Sequence, residues 1–172
     1  NDGIAGAAFN VYGQPKDEGP FYYAVEPGKK LRHVPLKHER TYDLTVHGPN
    51  GFYRAFRGGL LAHNVRLVSQ CQYQAGVLQL TVQNTGPKTA TLSLRQRSYG
   101  AAAINAAIEP GETHVSKWPI EDAGRWYDIE ITCAEDASFR TRLAGRWENG
   151  KHGHSDPLIG AAREPALAKP EP

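Results

Sequence analysis

Methionine is absent and only two cysteines occur in the 172 residues, and no apolar run approaches the ~20 residues that carry a helix across a bilayer. No basic stretch followed by an apolar core marks an export signal within the chain. The first residue is Asn1 rather than methionine, and the expectation is a mature product or a piece of a longer chain. Cys71 and Cys133 fall on different expected strands and allow at most one bridge. Neither has a CxxC neighbour or a histidine at zinc-ligand spacing, so a disulfide and two buried thiols both stay open. Charge of one sign is lacking too. Lys and Arg number 20 against 18 Asp and Glu, for a formal +2, too little to drive binding to nucleic acid or anionic lipid by bulk attraction.

Reaction signatures are equally scarce. There is no Gly-x-Ser-x-Gly elbow and no His-Glu-x-x-His helix. The adjacent carboxylates Asp17-Glu18, Glu121-Asp122 and Glu135-Asp136 fall at expected turns, where Asp is favoured for backbone reasons. Gly145 to His152 nearly spells a phosphate-binding loop. His152 stands where Ser or Thr must hold magnesium, and neither flank has the required strand or helix. His152, His154 and Asp156 could offer a metal two imidazoles and a carboxylate, but next to a tail without periodicity they read better as a solvated loop. No cofactor, no metal and no catalytic residue is expected.

What the chain does have is Gly 18, Pro 12 and Tyr 8, the mixture of strands punctuated by turns. Period-two alternation marks Ala8 to Tyr12, Phe21 to Val25 and Tyr42 to Val46, a connecting strand from Val65 to Tyr73, and then Val77 to Val82, Ala90 to Leu94 and Trp126 to Ile131. Ala101 to Ile108 is the one Ala-rich window; it is too short for a stable helix and is read as a strand equivalent to Phe21 to Val25. Compared with itself, the sequence repeats. Asn84-Thr85-Gly86 answers Asn1-Asp2-Gly3, and Glu109-Pro110-Gly111 answers Glu26-Pro27-Gly28 at the same spacing. Tyr127-Asp128-Ile129 then answers Tyr42-Asp43-Leu44 after a drift of two positions, as short loop insertions produce. In both Tyr-Asp pairs the Tyr is expected to pack and the Asp to face water or cap a turn.

The expected fold is all-β, two antiparallel β-sandwich repeats in tandem, with around seven strands per copy. Residues 1–63 form the first, lacking its opening strand, residues 64–159 form the second, and 160–172 form a disordered tail. The sharpest local feature is the hairpin from Tyr42 to Phe56, turned by Gly48-Pro49-Asn50-Gly51. Its bland reading is a hairpin with one face in a core. Its functional reading is an aromatic and basic tip of Phe52, Tyr53, Arg54 and Arg57 that contacts a membrane or another domain.

The block from 42 to 58, the repeated Glu-Pro-Gly, the Tyr-Asp-Ile strand at 127, and Ala-Gly-Arg-Trp-Glu-Asn-Gly leading to Ser155-Asp156-Pro157 together resemble the C-terminal tandem domain of bacterial phosphocholine-preferring phospholipases C. These are the hemolytic and non-hemolytic enzymes of the acid phosphatase superfamily. The resemblance implies a secreted parent whose preceding domain hydrolyses phosphatidylcholine or sphingomyelin to phosphocholine and holds the nucleophile and metal ligands. This chain would then be a non-catalytic accessory module, packing on that catalytic domain and aiding membrane or substrate presentation. A carbohydrate-binding or adhesion module is the alternative, with Trp118, Trp126 and Trp147 as its candidate rings.

Overall fold

A computed structural model describes residues 1–14, 19–32, 41–59, 67–150 and 152–159. Among them are eleven strands and no helix. In chain order these are β1 Ala7–Gln14, β2 Phe21–Val25, β3 Thr41–His47, β4 Tyr53–Gly59, β5 Leu67–Gln74, β6 Val77–Asn84, β7 Ala90–Gln96, β8 Ile104–Ile108, β9 Thr113–Pro119, β10 Trp126–Cys133 and β11 Asp136–Arg146. The Ala-rich window forms strand β8 over Ile104–Ile108, in line with the strand expected there. The expected boundary at 63/64 and the tail from 160 lie outside the described residues, as does the Val65 start of the connecting strand.

Eight strands form one open antiparallel sheet in the order β2-β1-β3-β4-β11-β10-β7-β8, and three form a second in the order β5-β6-β9. The all-β class with antiparallel sheets packed face to face is as expected from the sequence. In addition β4 hydrogen-bonds directly to β11, from Arg57 opposite Arg140 to Tyr53 opposite Ala144, so one sheet runs through both halves of the chain. Pairing the two strands that would otherwise be edges satisfies a row of backbone groups open to water or to another chain. The joined halves mirror one another: β4-β3-β1-β2 leads outward on one side and β11-β10-β7-β8 on the other.

The two sheets pack face to face in the second half. Leu78, Leu80 and Val82 of β6 and Trp118 of β9 meet Leu92, Leu94, Ile108, Tyr127, Ile129, Ile131 and Leu143. Each fully buried aliphatic side chain there contributes about 1.5–3 kcal/mol. The corresponding face of the first half carries Phe9, Val11, Tyr23, Val25 and Val46, half-buried around a groove of about 410 Å³. Cys71 is half-buried, Cys133 is buried, and both are free thiols.

The repeated motifs acquire a chemical reason. Asn84, fully buried, donates its amide to Lys88 O and Ile108 O and accepts from Gly86 N. Asn1 donates to Ala5 O and Val25 O and accepts from Gly3 N. The backbone echoes this: Gly111 N donates to Asn84 O and Gly28 N to Asn1 O, while Glu112 N reaches Glu109 O and Lys29 N reaches Glu26 O. Each asparagine thus staples its own Asx turn to the Glu-Pro-Gly turn that follows the second strand.

Candidate functional site

On the face of the large sheet turned away from the core, the junction of the two halves opens a pocket of about 510 Å³. Its floor follows from register. Tyr53, Ala144 and Asp128 form one row across β4, β11 and β10, and the small Ala144 between two larger side chains leaves a depression. Trp126, two residues from Asp128 on the same strand face, forms one wall. Ser98 and Tyr99 of the β7–β8 loop and Asp156 and Ile159 of the segment after β11 complete the lining. The hairpin turn enters as well. Asn50 and Gly51 adopt positive φ of 54° and 70°, as a tight Asn-Gly turn requires. A Cβ on Gly51 would lie 2.6 Å from the Trp126 ring, so only glycine lets the indole rest on the turn.

Asp128 anchors the pocket. Its carboxylate accepts from Arg142 Nε at 2.6 Å and Nη2 at 2.7 Å and from Ser98 Oγ at 2.5 Å, a two-pronged arrangement that fixes the guanidinium in plane. Burial opposes its charge, but the hydrogen bonds from Arg142 and Ser98 and the positive charges of Arg142 and Arg97 outweigh that and hold the carboxyl below the usual aspartate range. Asp128 is only 4% exposed, which corrects the expectation that it faces water; Asp43, its first-half counterpart, is exposed. The difference is Arg142 and Ser98, which roof the second carboxylate. The Arg142 guanidinium also lies 5.4 Å from the Tyr53 ring centre, within cation–π range. Tyr99 donates to Asp156 Oδ1 at 3.0 Å. Burial first, and then that carboxylate, push the Tyr99 hydroxyl far above its ordinary pKa, so it stays a donor at any physiological pH.

The four residues picked from the hairpin do not form one tip, because alternate residues of a strand point to opposite faces. Tyr53 turns outward into the pocket, and Arg57 is exposed on the same face. Phe52 and Arg54 turn to the other face. Phe52 meets Phe9 edge-on at 5.5 Å, with the Arg54 guanidinium 4.2 Å above its ring. Arg54 donates to Tyr53 O and Ala144 O at 2.8 Å and to the Tyr127 hydroxyl at 2.8 Å, tying the two halves together. Of the three tryptophans, Trp118 is a core residue, 1% exposed, with its N–H on Ser116 Oγ. Trp147 stacks on Tyr73, and Trp126 alone lines the pocket, its N–H held by His154 O. Asp156 stands out in the sequence as part of a metal reading and of the Ser155-Asp156-Pro157 stretch, neither of which points to this pocket. No group of three or more His, Cys, Asp or Glu side chains is placed to hold a metal among the described residues. Nor is any helix among them long and apolar enough to cross a membrane. Arg142, Ser98 and Tyr99 carried no sequence signal.

Comparison with known proteins places this architecture. The non-hemolytic phospholipase C of Burkholderia pseudomallei is 34% identical over 173 residues, covering 94% of this chain and 24% of the relative. The non-hemolytic and hemolytic phospholipases C of Pseudomonas aeruginosa are 31% and 32% identical, each over 93% of this chain, and 25% and 24% of their own lengths are covered. The chain thus spans about a quarter of the length of these curated relatives. The family described as "Bacterial phospholipase C, C-terminal domain" matches residues 1–59 and 64–146. The chain belongs to the bacterial phospholipase C C-terminal domain family.

Proposed function

We propose that this chain is the non-catalytic C-terminal module of a secreted bacterial phospholipase C that hydrolyses phosphatidylcholine or sphingomyelin to phosphocholine. It packs against the parent's catalytic domain and helps present that domain to its lipid substrate. One observation carries the reading: the relatives are named as phospholipases C, yet only about a quarter of each is matched, and the matching family is described as a C-terminal domain. Residues 1–63 and 64–159 are, in this proposal, two copies of one unit. The repeated asparagine staples, the mirrored strand order and the two separate family matches support that division. Arg57, exposed on the outer face beside the half-buried Tyr53, makes the contact with catalytic domain or membrane, while Phe52 and Arg54 brace the hairpin from behind.

The test is an assay of the purified chain alone and mixed with the separately produced remainder of a phospholipase C relative. The chain alone is expected to leave a chromogenic phosphocholine ester intact and to co-elute with the remainder on gel filtration, with Arg57→Glu weakening that association. Turnover by the chain alone, or two proteins that elute independently, would reject the proposal. Sedimentation with phosphatidylcholine vesicles tests membrane presentation; a chain that stays in the supernatant leaves no part for it.

A further inference from the structure

The geometry points to the pocket at the junction of the halves as a binding site for a neutral carbohydrate, one pyranose ring seated between Tyr53, Tyr99 and Trp126. This goes beyond the accessory role and does not depend on it. The volume, about 510 Å³, falls within the range of small-molecule sites, about 300–1,000 Å³. Its walls are aromatic, and flat rings offer dispersion contact to the flat C–H face of a sugar. Its polar groups suit hydroxyls, each of which is both donor and acceptor. Arg142 uses Nε and Nη2 on Asp128, and among the described residues no hydrogen bond engages its Nη1. Asp156 receives both Tyr99 O–H and Leu158 N–H on Oδ1, and its Oδ2 has no partner among the described residues. A fixed donor and a fixed acceptor thus border the same aromatic-walled space.

The charges argue against the other ligand classes. A phosphate or carboxylate would need Arg142, whose charge is matched two-pronged by Asp128, and it would face Asp156. A quaternary ammonium between these rings would bring its positive charge beside the Arg142 guanidinium, which lies 5.4 Å from the Tyr53 ring centre. A neutral polyol meets neither conflict. The rigidity is favourable as well: Trp126 is held by His154 O and by the Gly51 turn, and Asp128 is held by three hydrogen bonds, so little ordering remains to be done on binding.

The experiment is a glycan array probed with the purified chain, followed by calorimetric titration of the strongest neutral hit, with choline chloride and inorganic phosphate as separate titrants. We expect a neutral glycan to bind and the two ions not to. Asp156→Asn and Trp126→Ala should each weaken that binding by about tenfold or more, the effect of losing one charge-assisted hydrogen bond or one stacking face. Tyr22→Ser, which removes a ring 69% exposed outside the pocket, should leave it unchanged. Asp156→Asn alters no volume, so it reports on the site even if Trp126→Ala fails to fold. Array silence, binding indifferent to Asp156→Asn, or binding of choline or phosphate alone would overturn the assignment. Co-elution with the catalytic part is measured separately, so either reading can fail without the other.

Discussion

Replacing Arg142 by methionine tests whether the Asp128–Arg142 pair holds the outer face together. The substitution keeps most of the stem over Tyr53 and removes the guanidinium. Asp128, 4% exposed, would keep Ser98 Oγ as its only side-chain donor of the three now present. Stripping one partner from a buried pair destabilises by about 3–5 kcal/mol. The Arg142 side chain is 30% exposed, so water reaches the pair and the lower end, about 3 kcal/mol, applies. At about 2–4 °C per kcal/mol for a chain of this size, the melting temperature should fall by about 6–12 °C at pH 7. The sign with pH is fixed by the direction of the Asp128 shift. Its carboxyl is depressed in the fold, so its stabilisation is complete above the unfolded value of about 3.9 and fades as pH drops through the lower folded value. The wild type should therefore lose part of its advantage over Arg142→Met in acid. Adding Asp128→Asn to the variant should restore some stability, because no unpaired charge is then buried. Thermal unfolding followed by far-ultraviolet circular dichroism at pH 7 and in acid reads all three. A change below about 2 °C at neutral pH, or a gap that persists unchanged in acid, would refute the reasoning.

Gly51→Ala should destabilise by about 1–2 kcal/mol, through strain at positive φ and displacement of the indole, with a shift in Trp126 fluorescence as its signature. Asn84→Ala strips three side-chain hydrogen bonds from a fully buried staple and should cost about 2–3 kcal/mol in urea unfolding; Asn1→Ala, at the exposed end of the sheet, should cost less than about 1. Burial and the Glu135 carboxylate lift the Cys133 thiol to about 11, so iodoacetamide at pH 8 should label it only in the unfolded chain, as mass spectrometry would show. Arg54→Met should raise hydrogen exchange in β4 and β11, whose contact it braces, while β6 and β7 stay protected.

The all-β class and most strand positions were legible because alternation and turn residues are local properties, whereas β9 and β11 were not singled out. The paired Asn-x-Gly and Glu-Pro-Gly motifs were visible as a pattern whose cause, an asparagine bridging two turns, needed coordinates. Arg142 was out of reach for a definite reason. A plain hairpin turning at Ala134 and Glu135 would pair Asp128 with Thr141 and set it beside Phe139 and Leu143. The register instead shifts between Thr132 and Cys133, so that Thr132 faces Arg140 and Asp128 faces Ala144. An odd shift exchanges the two faces of a strand, and only after it does Arg142 share a face with Asp128. The joining of β4 to β11 was equally hidden, since contact between distant edge strands leaves no local trace.

That joint explains why the pocket forms where it does. Tyr53 and Gly51 come from the Gly-Pro-Asn-Gly hairpin of the first half, and Trp126, Asp128 and Arg142 come from the second half. The turn between β10 and β11 carries Ala134-Glu135 in place of Asn-Gly, and at the position of Arg142 the strand β4 offers Ala55, which faces Arg142 across the joint. Neither half holds the complete set. Two identical halves laid edge to edge would give two equivalent surfaces. Here the differences between them fall on the outer face beside the seam, and the sheet that unites them is what assembles the aromatic walls and the ion pair into one site.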